Sequence, residues 1–203
     1  MPNVIRNGGL RLFQQKIDQD LELCIIPSSD SVIVGRGDAV KTAGSSTSSG
    51  SGPVVRTVAR VSAGDAIYGV VEGFLEHFIE GTGMSLDRTH RPASTTMYVM
   101  VRPANNTDVY AITSDGTTAL AEIGENANIT GNGGGTTITD ADTVSGLSTM
   151  QLDSSTHATT ATLQLKMIGF EDRADNTPAS ANASILVTIN SAERSGGTGT
   201  AGV

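Results

Sequence analysis

The apolar residues of this chain come in short runs, and nearly every run is cut by glycine, serine, threonine or proline. A packed helix needs an apolar stripe recurring every 3.6 residues over ten or more positions, whereas a strand needs only alternation over a few. Alternation is what most runs offer. Residues 54–63 place Arg56 and Arg60 on one face and Val55, Thr57, Ala59 and Val61 on the other. Residues 95–101 (TTMYVMV) read as the clearest strand, between Pro92 and Pro103. Residues 108–113 follow across Ala104-Asn105-Asn106, so the two runs are expected to pair as a hairpin. Residues 161–170 set Leu163, Leu165 and Met167 inward and Gln164 and Lys166 outward, and residues 184–190 align Ile185, Val187 and Ile189. Only the run from 67 fits both periods, because Val71, Phe74, Leu75, Phe78 and Ile79 also fall on a helical stripe. Gly69 and Gly73 would each cost a helix about 1 kcal/mol relative to alanine, so the run is expected as a strand to about Leu75, then a loop or turn.

Composition sharpens this pattern. The 203 residues include 24 Gly, 20 Ser and 25 Thr, about a third of the chain, but only three Tyr, four Phe and no Trp. Threonine and valine suit a pleated surface and glycine and serine suit turns. The expectation is an all-β protein, an antiparallel β-barrel or alternatively a β-sandwich, with long Gly/Ser/Thr-rich loops and a thin core. Cys24 is the single cysteine, so neither an intrachain disulfide nor a thiolate metal cluster can steady that core. Oligomerisation is the remaining source of stability.

The net charge of −8 is unevenly spread. Residues 1–102 hold ten basic and ten acidic side chains. Residues 103–203 hold eleven acids against Lys166, Arg173 and Arg194, and residues 103–165 contain neither lysine nor arginine. A nucleic-acid binder needs a basic stripe with stacking aromatics, and neither is present. No apolar run approaches the length that spans a bilayer, and the N-terminus lacks a signal-peptide core. Neither a nucleic acid nor a membrane is expected as a partner.

No pattern calls for catalysis, a cofactor or a metal. His77, His90 and His157 share no ligand spacing, and the nucleophile motif G-x-S-x-G is absent. Gly35-Arg36-Gly37-Asp38 lacks the third glycine of a dinucleotide site, but it contains Arg-Gly-Asp, a tripeptide read by adhesion receptors. Asp140 and Asp142, with Asp153, could seat Ca²⁺ only if a loop gathered them, and the EF-hand pattern is missing; a solvated acidic loop is expected.

Residues 1–17 form an N-terminal arm with Arg6, Arg11 and Lys16, no acid, and Leu10, Leu12 and Phe13 beside Gly8-Gly9. Apolar residues clustered in a polar tail would be sticky if left bare. Arg6, Leu10, Arg11, Leu12 and Phe13 are therefore the candidate partner-binding residues, for a neighbouring subunit or a larger assembly. Residues 18–52 form a segment of short strands ending in the flexible tract AGSSTSSGSG (43–52), residues 53–194 the main β domain, and residues 195–203 a disordered tail.

Three stretches carry a family likeness: GDAIYGVV (64–71), SLDRTHRPASTTMYVMV (85–101) and the block from GLSTMQLDSST to ASILVTIN (146–190). Together they resemble a group of small virion structural proteins of tailed bacteriophages, the capsid cement or decoration proteins. The likeness covers a third to a half of the chain. Its motifs read structurally: RPAST as a loop leading into a strand, LDSST as a tight turn closed by side-chain to backbone bonds. It implies a protein on the outer surface of the capsid, with the major capsid protein as partner. It further implies a homotrimer at threefold and quasi-threefold positions, and it brings no catalytic residues. The alternative is a receptor-binding or adhesive module of a phage tail or head fibre, supported by Arg-Gly-Asp.

Overall fold

The computed structural model describes residues 3–16, 18–44, 46, 54–75, 89–131 and 138–203. Among them there is no α-helix, and the all-β class expected from the sequence is what forms. In the first half lie β1 (Arg11–Gln14), β2 (Glu22–Ile26), β3 (Val34–Gly35), β4 (Ala39–Thr42), β5 (Arg56–Arg60), β6 (Gly69–Leu75), β7 (His90–Arg91) and β8 (Met97–Pro103). The second half adds β9 (Val109–Thr113), β10 (Asn126–Ala127), β11 (Ile129–Thr130), β12 (Gln151–Leu152), β13 (Leu165–Phe170) and β14 (Ser184–Ile189).

The strands divide between a ring and an open sheet rather than forming one antiparallel barrel. Five of them pair in the order β2-β5-β4-β6-β8, and β8 pairs back onto β2. One step of that ring, β2 to β5, is parallel. The open sheet runs β1-β9-β14-β13-β10, antiparallel throughout, and β3–β7 and β11–β12 form two short ladders. The ring draws β2 and β4 from one side of the 43–52 tract and β5, β6 and β8 from the other. That tract joins strands of one ring.

Alternation fixes two cores. Cys24, Ile26, Val40, Val58, Val71, Val99 and Val101 point into the ring, with Tyr68 among them. Arg56 lies 4.7 Å above the Tyr68 ring, a cation–π contact at the rim. Ala39, Val61, Ile67 and Val70 face the open sheet and meet Tyr110, Ile112, Leu165, Met167, Ile185, Val187 and Ile189. The register Ile185↔Ile112 and Val187↔Tyr110 keeps the larger side chains on that inner face.

Three local expectations change. The hairpin of residues 95–113 does not form: β8 pairs with β2 and β6, whereas β9 pairs with β1 and β14. The Asn105 side chain accepts from the Thr107 and Asp108 amides and turns the chain out of the ring into the open sheet. Gln164 is not outward but fully buried. Its carboxamide accepts from Ile129 N and donates to the carbonyls of Ser62 and Asp65, which ties ring to sheet. Residues 195–203 are bound to the body: Gly199 N–H donates to Ala161, Gly202 N–H to Thr159 and Val203 N–H to Gly124, and Asn126 donates to the Thr200 carbonyl.

The two motifs of the family likeness behave as loop devices. Arg91 is fully buried and donates to the carbonyls of Pro27, Asp30, Val32 and Thr95, and Ser94 beside it adopts φ 52°. In LDSST, Asp153 Oδ1 accepts from the Ser155 amide and hydroxyl, and Thr156 Oγ1 donates to the Asp153 carbonyl. His77, residues 85–88, the loop or turn expected past residue 75, the glycines at 133–135 and most of the 43–52 tract lie outside the described residues.

Candidate functional site

The N-terminal arm lies along its own chain. Asn3 pairs with the Thr177 backbone in both directions, Arg6 forms an ion pair with Asp175, and Arg11 grips both Glu171 oxygens at 2.9 and 3.0 Å. Arg173, with Arg6 behind it, holds the Asp175 carboxyl below the usual carboxylate range. The Leu10 side chain is 2% exposed, in the core shared by sheet and ring, and Leu12 packs at its edge. Phe13 differs. It is the extra residue between Leu12↔Tyr110 and Gln14↔Val109, a bulge on an edge strand, and it is 51% exposed. Of the five candidate partner residues, Arg6, Leu10 and Arg11 are thus engaged within the chain, Leu12 is partly so, and Phe13 faces out.

Behind the arm the Gly35-Arg36-Gly37-Asp38 turn is pinned from three directions. Asp38 is fully buried, where its carboxylate accepts from Ser148 Oγ at 2.5 Å and Gly35 N at 2.8 Å. Burial pushes its pKa up to about 6, against the pull of those two bonds. Gly37 has φ 90°, and a β-carbon there would overlap the Gly8 carbonyl oxygen. Only glycine meets both conditions. Arg36 bonds through its backbone to Gly146 and Ser148, both at 2.9 Å.

This arrangement leaves the Arg36 side chain in a cleft of about 400 Å³, lined by Leu10, Leu12, Gly37, Glu72 and Leu147 among others. A second hollow of about 170 Å³ continues past Gly73 and Phe74 to Thr89 and shares Arg36, Glu72 and Leu147 with the first. Glu72 is neutralised by Arg102 at 2.9 Å. Arg36 has no ion pair among the described residues. The sequence held one signal for it, an arginine between two glycines, which fits a side chain presented from a tight turn.

The other candidates do not converge. His90 contacts the neighbouring Thr89 hydroxyl. His157 Nδ1 lies 2.9 Å from Glu122 Oε2 but out of line for a hydrogen bond. Asp142 is drawn below its ordinary pKa by Ser145 and the Val144 amide, Asp140 accepts from Ile33 N, and Asp153 closes its own turn. Among the described residues no group of three His, Cys, Asp or Glu side chains could hold a metal ion, and no helix is long and apolar enough to cross a membrane. Arg-Gly-Asp is not a displayed tripeptide, because Asp38 faces inward with no exposed surface. Comparison with known proteins gives no matching family model, no matching curated protein and no matching solved structure.

Proposed function

We propose that this chain is a non-catalytic capsid cement or decoration protein. It would bind the outer surface of an assembled bacteriophage head through the major capsid protein, as a homotrimer at threefold and quasi-threefold positions. The five-stranded ring is read here as a small barrel carrying the open sheet on one flank. One structural observation supports this reading beyond the sequence likeness: β1 is an edge strand whose bulged Phe13 stands half exposed beside Arg11. Edge strands with bare aromatic side chains are docking hazards unless a partner covers them. The acidic half from residue 103 suits a face turned to solvent, where like charge keeps particles apart. Many copies on a symmetric lattice would multiply a modest single contact.

The test is co-sedimentation of the purified chain with expanded and unexpanded heads. Saturable binding to expanded heads is expected, together with a trimer in solution. Failure to sediment with heads while binding isolated tails would favour the adhesive reading.

A further inference from the structure

The ladder between the chain at 37–40 and β6 stops abruptly. Val40 and Ala39 pair with Gly69 and Val70, and Gly37 and Asp38 exchange backbone bonds with Val71 at 2.8 and 2.9 Å. Arg36 then leaves, turning its backbone to Gly146 and Ser148. β6 runs on to Leu75, hydrogen-bonded only to β8 among the described residues. Across the cleft stands a second edge. Past Leu10, whose amide donates to Gly37, β1 is paired only with β9 among the described residues.

Gly73 sharpens this geometry. It sits at the bulge of β6, and a β-carbon there would meet nothing within 4 Å. The bulge accounts for a glycine in this strand, and the space over Gly73 shows that no side chain of the described residues fills the cleft at that point. The cleft walls carry Leu12, Leu147 and Phe74 for apolar side chains, and Arg36, a cation with no ion pair among the described residues.

We propose that this cleft seats an extended segment of a partner protein. The segment is added as a strand along β6 from Glu72 to Phe74, alternates apolar and polar residues, and places a carboxylate on Arg36. Strand addition takes affinity from backbone hydrogen bonds and selectivity from the pockets that receive alternate side chains. A guanidinium held by a rigid turn matches a carboxylate in two-point geometry. The inference does not depend on the capsid reading, since Phe13 lies on the arm and the cleft could fail while head binding persists.

The test uses the full chain and three blocked hexapeptides: Thr-Val-Asp-Val-Thr-Ile, its Asp→Asn form, and a form with proline at the second valine. Amide hydrogen exchange at Glu72, Gly73 and Phe74 is followed by NMR. The Asp peptide is expected to slow exchange at least tenfold at those amides of the stretch that turn away from β8. Arg36→Gln should weaken that peptide at least fivefold and leave the Asn peptide unchanged, and the proline form should give no protection. No protection at millimolar peptide, equal protection by the proline form, or the same response to sodium acetate alone would overturn the proposal. Arg36 is exposed, so its substitution leaves the fold in place.

Discussion

Ser148 Oγ donates to the buried Asp38 carboxylate at 2.5 Å, joining two positions 110 residues apart. Around this bond meet the N-terminal arm, through Gly8 N–H to the Ser148 carbonyl, and the ring, through Asp38 O to Val71 N–H. Stability, the placement of Arg36 and the course of the arm all pass through this point.

Asp38 should make the stability of the fold depend on pH. Asp38 has a folded pKa of about 6 against an ordinary 3.8, so the fold binds this proton more tightly than the unfolded chain. Its contribution is therefore most favourable below pH 4, declines between pH 4 and 6, and stays flat above. By linkage the decline amounts to about 2–3 kcal/mol. Urea unfolding at pH 4, 5, 6 and 7 checks it: the difference in stability between the native chain and Asp38→Asn should shrink or reverse across that window.

Two glycines should respond very differently to alanine. Gly37→Ala combines a left-handed φ with overlap on Gly8 and is expected to destabilise by about 2–4 kcal/mol. Gly73→Ala meets open space and should fall within about 0.5 kcal/mol of the native chain. Thermal denaturation of both variants decides this.

Arg91 is a structural cation. Lysine cannot reach four carbonyls at once, so Arg91→Lys is expected to cost about 2 kcal/mol and Arg91→Ala about 3–5 kcal/mol. The loss should appear as faster amide exchange in residues 27–32, because those carbonyls lose their tie to β7.

The arm separates stability from docking. Leu10→Ala opens a cavity in the shared core and should cost about 2–4 kcal/mol. Phe13→Ala should leave stability within about 0.5 kcal/mol and weaken head binding at least tenfold. Deleting residues 2–17 would remove both, so it lowers the melting temperature as well as binding. The point variants are the informative pair.

How much of this was legible follows from the range of each interaction. The alternation of Ile185, Val187 and Ile189 reports one strand and one face, and it locates β14 correctly. Strand pairing is a property of two distant segments, and nothing near residue 104 distinguishes a hairpin from a crossing between ring and sheet. Alternation assigns Gln164 to an outer face, and it sets Arg60 on one face of its strand without saying what covers that face. Each is buried where backbone carbonyls converge from elsewhere: Arg60, its side chain 9% exposed, reaches the carbonyls of Ile33, Ile138 and Thr139. The Gly-rich tail read as disordered because its composition is that of a linker. Its glycines instead allow close approach: a β-carbon at Gly199 would overlap the Asn190 side chain. The cleft was invisible for the same reason, since Arg36, Glu72 and Leu147 meet only after the fold closes.

The most direct test of the cement role is an electron-microscopy reconstruction of expanded heads incubated with the native chain and with Phe13→Ala. Trimeric density at the threefold and quasi-threefold positions of the outer surface, with β1 at the contact and occupancy lost in the variant, is the outcome the account requires. Bare heads at saturating protein, or density confined to the tail, would contradict it.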